Sequence, residues 1–119
     1  MTELASNRTV DGLSGLEDSV LAAARLLKLL ASEQRLLLLC RLMEGEASVG
    51  ALADYASLAQ STASQHLAKM RAEGLVATRR EAQTIYYRLA DPAAVRLLGA
   101  LCDIYRGGAA AGGRAGAAL

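Results

Sequence analysis

The residues of this sequence with chemistry to offer are few: one histidine, His66, two cysteines, Cys40 and Cys102, and a polar run from Gln60 to Arg71. The run reads Gln60-Ser61-Thr62-Ala63-Ser64-Gln65-His66-Leu67-Ala68-Lys69-Met70-Arg71 and is closed by Glu73-Gly74-Leu75-Val76. On a helix, at about 100° per residue, Ala63, Leu67 and Met70 share one narrow apolar face. Ser61 and Gln65 lie nearly opposite, Thr62 and Ser64 flank them, and His66 borders the stripe. Hydroxyls, an amide and an imidazole, followed by Lys69 and Arg71, are the groups that read base edges and grip phosphates in a major groove. Taken alone, a polar helix face is ordinary solvated surface; its neighbours in the chain decide the matter.

After Gly74, Leu75 to Arg80 and Thr84 to Leu89 are β-prone runs joined by Glu81-Ala82-Gln83, which predicts a hairpin. Before the polar helix, Ser48 to Tyr55 predicts a short helix, joined through a Ser57-Leu58-Ala59 turn. Helix, turn, polar helix and basic hairpin form the order of a winged helix-turn-helix. Arg79, Arg80 and Arg88 suit a wing lying along phosphates. Between residues 60 and 90 these arginines join Lys69 and Arg71 against only Glu73 and Glu81, leaving three net positive charges on a chain whose total is +1. DNA binding is therefore read from local clustering, not from overall charge. The fold expected is mainly α with a small β-hairpin: about five helices and a two-stranded wing.

The remaining elements must position that head. With 119 residues and no Phe or Trp, the chain supports one compact domain with a core of Leu, Ala, Val and Tyr. Residues 1–15 read as a flexible arm, 16–106 as the DNA-binding and dimerisation domain, and 107–119 as a disordered Gly/Ala tail. Leu16 to Leu30 is periodic enough for one amphipathic helix, with Glu17 and Asp18 in its first turn. Ser32 is a good cap for the next helix and Gly45 a good stop; between them Leu36 to Cys40 is apolar nearly all round, marking a buried centre. The recognition helix has either Ala59, a poor cap, at its start or begins later at Ser61. Asp91-Pro92 opens a last helix whose apolar residues cover more than one face, leaving surface for a second copy. Charges interrupt every apolar run, and no signal peptide is read, so a reducing cytoplasm is expected, where two cysteines are inert packing or a reversible switch.

Ser61 to Leu67, Arg71 to Val76 and the wing Arg79 to Leu89 together resemble the ArsR family of small dimeric winged-helix repressors, over roughly residues 17–106. The resemblance implies a homodimer built through the first and last helices, bound to double-stranded operator DNA. Arsenic- and cadmium-type members carry a Cys-x-Cys-like cluster before the recognition helix; here Gly50 to Tyr55 has no thiol. Zinc- and nickel-type members place His and Asp along the last helix; here it has no His. No metal site and no cofactor is expected.

The segment Arg35 to Glu46 and the wing are similar to the dithiol, persulfide-sensing subgroup typified by the BigR and SqrR repressors. That similarity implies redox sensing by Cys40 and Cys102, with reactive sulfur species as inducer. The subgroup's second thiol directly follows a Tyr, whereas Tyr105 is followed by Arg106, and Cys102 lies four residues before it. It is displaced by one turn, about 6 Å along the axis. Two other readings stand beside this one: a repressor answering As(III) or Sb(III) through the two thiolates, and a ligand-independent dimeric DNA-binding module. No enzyme is expected, since one His, no paired carboxylates and no Gly-rich phosphate loop leave nothing to catalyse with.

Overall fold

In the computed structural model the backbone is described for residues 11–112 and the side chains for residues 15–106. Among the described residues six helices and three strands follow one another: α1 (Asp11–Asp18), α2 (Val20–Leu30), α3 (Glu33–Leu42), β1 (Ala47–Ser48), α4 (Val49–Ala56), α5 (Gln60–Ala72), β2 (Val76–Glu81), β3 (Thr84–Leu89) and α6 (Pro92–Gly112). They divide into two compact units between Ser32 and Glu33.

The first unit holds α1 and α2, where the sequence predicts a single helix. The break is at Ser19, which leaves helical geometry (φ −114°, ψ 18°) while its N–H donates to the Leu16 carbonyl at 3.0 Å. Such a three-residue closure tightens and ends a turn. Glu17 and Asp18 consequently sit at the end of α1, not in a helical first turn where the dipole would favour them. Residues 11–15, read as arm, belong to α1, while residues 1–10 lie outside the described residues. Leu29 and Leu30 are buried, whereas Leu21 is 82% exposed.

In the second unit α3 supplies Leu38, Leu39 and Leu42 to the core, and α4 supplies Leu52, Ala53 and Ala56. The predicted centre is buried on one side only: Leu37 is exposed, and Cys40 is half-buried. Ser48 caps α4, its Oγ accepting from the Ala51 N–H at 3.2 Å. Two left-handed residues then set the lengths of the next helices. Ser57 (φ +56°) ends α4 with a Leu58 N–H to Ala53 carbonyl bond of 2.9 Å. Gly74 (φ +80°) follows α5 with the equivalent Leu75 to Met70 bond, also 2.9 Å. Both are Schellman-type closures.

Helix α5 starts at Gln60 after Ala59, whose carbonyl accepts the Ala63 N–H at 3.0 Å but which has no capping side chain. The cap that a Ser would supply, typically about 1 kcal/mol, is missing. Burial of Ala63, Leu67 and Met70, each fully inaccessible, offsets it.

The wing is part of a three-stranded antiparallel sheet in the order β1-β3-β2. The third strand, β1, pairs Ala47 with Tyr87 and Ser48 with Tyr86. Two residues are too short to show an alternating pattern, which is why the sequence suggests only two strands. The turn between β2 and β3 places Ala82 at φ +57°. At the other end of the unit Asp91 caps α6, its Oδ1 accepting from Ala93 N–H at 2.9 Å. The helix continues to Gly112, through residues 107–112 that the sequence assigns to the tail, and alanine's helix propensity over 109–111 accounts for the extension. Residues 113–119 of the predicted tail lie outside the described residues. No helix among the described residues is long and apolar enough to cross a membrane.

These contacts give opposed expectations for neighbouring positions. Leu67→Ala, in a fully buried site, is expected to lower stability by about 2–5 kcal/mol. Gln65→Ala, exposed two residues away, should stay within about 0.5 kcal/mol. Ala82→Gly should raise stability by about 1 kcal/mol by relieving the left-handed backbone. Urea denaturation at one fixed protein concentration checks all three.

Candidate nucleic-acid interface and thiol pair

With its apolar stripe turned inward, α5 shows Gln60, Ser61, Gln65, Lys69 and Arg71 to solvent, and leaves Thr62, Ser64 and His66 half-buried at the margins. The outer face is therefore the one that the helical period predicts. It presents two amides and a hydroxyl, the donor and acceptor types that match base edges, with both cations in the last turn.

His66 is tethered. Its Nε2 lies 2.8 Å from Gln34 Oε1, in the first turn of α3. The carbonyl oxygen can only accept, so Nε2 carries the proton and Nδ1 is left as the ring's acceptor. Burial, and after it the charge of Arg35, hold the His66 pKa below its ordinary value, keeping the ring neutral at pH 7.

The three wing arginines part company. Arg79 faces Tyr86 across the strands and Ala77 faces Arg88, so Arg79, Tyr86 and Arg88 share one side of the hairpin, while Arg80 opposes Ile85 on the other. Arg79 Nε donates to both Glu46 carboxylate oxygens at 2.9 Å, and its Nη1 donates to Glu81 at 2.7 Å. The guanidinium carbon also stands 4.7 Å from the centre of the Tyr86 ring. Hydrogen bonding to Glu46, then to Glu81, raises the Arg79 pKa beyond its already high value. The same bond, aided by the charges of Arg79 and Arg88, lowers that of Glu46. Arg80 and Arg88 are exposed and make no ion pair among the described residues. Of the residues the sequence assigns to DNA, Arg79 is the one whose charge is already answered by carboxylates.

Cys40 on α3 and Cys102 on α6 are both free thiols, both half-buried, and the fold brings them together. They line one apolar cavity of about 330 Å³ with Leu36, Leu98, Leu101 and Tyr105. Both also border a wider opening of about 570 Å³ with Met43, Glu44, Tyr55, Gly99, Asp103 and Arg106. Burial, and second to it a thiolate at Cys102, push the Cys40 pKa up. The one-turn displacement of Cys102 along α6 leaves it facing the same space as Cys40.

Gln34, Glu46 and Tyr86 were not among the residues marked by the sequence. Each acts through a partner more than thirty residues away or across the sheet, and no local pattern announces such a pairing.

Residues 32–78 match the profile of the bacterial regulatory proteins of the arsR family. The chain is 52% identical over 89 residues to the nodulation protein NolR of Rhizobium meliloti, covering 75% of this chain and 72% of that one. The crystal structure of the transcriptional repressor BigR from Xylella fastidiosa superposes with a TM-score of 0.73 at 41% identity, over 77% of this chain and 94% of BigR. A homodimeric winged helix-turn-helix DNA-binding domain from Mycobacterium bovis, a possible ArsR-family regulator, gives 0.64 at 33% identity, over 89% and 91% of the two chains. Winged-helix architecture, an outward polar recognition helix and these likenesses agree, and the chain belongs to the ArsR family of DNA-binding transcriptional regulators.

Proposed function

We propose that this regulator is a thiol-switched repressor, which holds its operator while Cys40 and Cys102 are reduced and releases it when reactive sulfur species link them. The observation that carries this reading is the cavity lined by both thiols. A lone cysteine among leucines is ordinarily a small buried hydrophobe, but two that line one cavity offer a pair of sulfurs to be linked. An inducer persulfide, RSSH, passes its outer sulfur to a cysteine thiolate, leaving RSH and a protein persulfide. Attack by the second thiolate on the inner sulfur of that persulfide expels hydrosulfide and leaves a disulfide. If both cysteines are first persulfidated, the terminal sulfur of one attacks the inner sulfur of the other, expels hydrosulfide, and leaves a trisulfide. No external oxidant is consumed in either route.

On the DNA, α5 lies in the major groove, with Ser61, Ser64, Gln65 and the free side of His66 setting preference. Gln60, Thr62, Lys69 and Arg71 accompany them, and the wing supplies arginine charge to phosphates. The working form is a homodimer. Val95, Ile104 and Tyr105 on α6 are exposed apolar residues, as are Val20, Leu21 and Leu27 on α2. Each unit thus leaves an apolar face that suits a second copy, and two-fold pairing matches paired half-sites. A coupling of about 1–3 kcal/mol between thiol state and DNA affinity is enough to release the operator. The arsenite reading keeps the same two thiolates as ligands. Among the described residues no three His, Cys, Asp or Glu side chains converge, so a third donor would have to come from outside them.

Three measurements test this. Gln65→Ala should lose discrimination at one base position, worth about 1–3 kcal/mol, across a panel of duplex variants; uniform weakening contradicts base reading. Persulfide treatment should link Cys40 to Cys102 within one chain, as a disulfide or, with the mass of one added sulfur, as a trisulfide, and Cys40→Ser or Cys102→Ser should each stay on DNA at any persulfide concentration. Release by either single variant sinks the switch, and cross-linking by arsenite alone favours the metalloid. Finally, the pH profile for alkylation of Cys40 should move to lower pH in Cys102→Ser, because the raising charge has gone while burial remains.

A further inference from the structure

The wing carries three arginines, and the fold treats one of them differently. Two acidic residues from separate segments converge on Arg79. Glu46, between Gly45 and β1, accepts from Nε through both oxygens at 2.9 Å; Glu81, at the end of β2, accepts from Nη1 at 2.7 Å. The Tyr86 ring 4.7 Å away bounds the guanidinium on a further side. A planar fork held by two carboxylates and a ring has its orientation fixed. Its charge is also spent: two anions stand where a phosphate would have to come.

The hairpin needs such a fixture. Two strands alone are at best marginally stable in water. Here β1 contributes only two paired residues, and the base is closed by the Ala90 N–H to Leu75 carbonyl bond at 3.0 Å. Glu46 directly precedes β1, and its bridge to Arg79 ties β2, across Tyr86 of β3, to the segment leading out of α3.

We propose that Arg79 is a positioning residue, which with Glu46 as its counter-ion sets the pose of the wing, while Arg80 and Arg88 make the phosphate contacts. Arg80 and Arg88 stand on opposite sides of the hairpin, and neither makes an ion pair among the described residues; Arg88 feels the charge of Glu46 without bonding it. A phosphate can bond either without displacing a hydrogen-bonded carboxylate.

The test uses the full chain, reduced, and a duplex that it selects from a random-sequence pool, with anisotropy titrations over a range of KCl. Arg80→Gln and Arg88→Gln should each flatten the dependence of log K on log salt by about 0.9 for every phosphate contact removed. Arg79→Gln should weaken binding with that slope unchanged. Arg79→Lys decides between the roles, because lysine satisfies a phosphate as a point charge but cannot bridge two carboxylates as a fork. It should bind as poorly as Arg79→Gln. Glu46→Gln should weaken binding too, and the double variant Glu46→Gln/Arg79→Gln should be no worse than either single one. Without DNA, amide hydrogen exchange across residues 76–89 should rise in Arg79→Lys and Glu46→Gln but not in Arg80→Lys. Wild-type affinity in Arg79→Lys, tighter binding by Glu46→Gln, or unchanged exchange in both overturns the proposal. Exposed ion pairs contribute little to global stability, so these variants should remain folded, as a cooperative melt would verify.

Discussion

Everything the reading head displays depends on the burial of three side chains. Helix α5 has thirteen residues, and only Ala63, Leu67 and Met70 are removed from water. A stripe this narrow admits one rotation of the helix: turning it by a single residue, about 100°, would bring Leu67 to the surface and carry His66 and Lys69, or Ser64 and Arg71, into the core. The N-terminus adds little constraint, since Ala59 provides no side-chain cap. The helix is therefore oriented by packing and stopped at Gly74 by geometry. Its polar side chains are left free of structural duties, apart from His66.

That exception joins two parts of the second unit that have different work. Gln34, which holds His66, and Cys40 belong to the same helix, α3, six residues and so about 9 Å apart. Leu38, Leu39 and Leu42 fix that helix in the core. A close-packed rod moves as a body. In the proposed switch, a displacement of α3 by a bond formed at Cys40 would reach Gln34 and, through its bond to His66, one side of α5. A neutral hydrogen bond is worth about 0.5–1.5 kcal/mol net, within reach of the coupling that release of an operator requires.

What the sequence makes legible is what short-range periodicity and punctuation encode. The stripe on α5, the hairpin runs, the Asp91-Pro92 start of α6 and the stop at Gly74 each arise from residues within a few positions of one another. The break at Ser19 was not legible, because the apolar period runs through it unaltered. Strand β1 was not, because two residues carry no alternation. The pairs Arg79–Glu46 and His66–Gln34 bridge 33 and 32 residues of chain, and depend on how α3 and the wing are placed around α5. A wing arginine looks the same in sequence whether it faces a phosphate or a glutamate. Likewise, the one-turn offset of Cys102 is visible in the sequence, but its consequence depends on which way α6 lies against α3.

The surroundings of the thiols bear on the order of events in the proposed switch. Burial and Cys102 raise the Cys40 pKa, so little of it is thiolate at neutral pH. A higher pKa also makes the thiolate intrinsically more nucleophilic, but with a Brønsted coefficient of about 0.4–0.5 a tenfold loss of thiolate is repaid only about threefold. Cys40 is on balance a slow attacker, and equally slow towards peroxide, whose reaction also needs the thiolate. Both routes to the bridge nevertheless need Cys40 as a thiolate once, either to take sulfur from the donor or to attack a persulfide already formed on Cys102 and expel hydrosulfide. The second route asks Cys40 only for an attack inside the cavity that both thiols line, where proximity offsets a small thiolate fraction. In the proposed switch, therefore, Cys102 meets the donor and Cys40 closes the bridge.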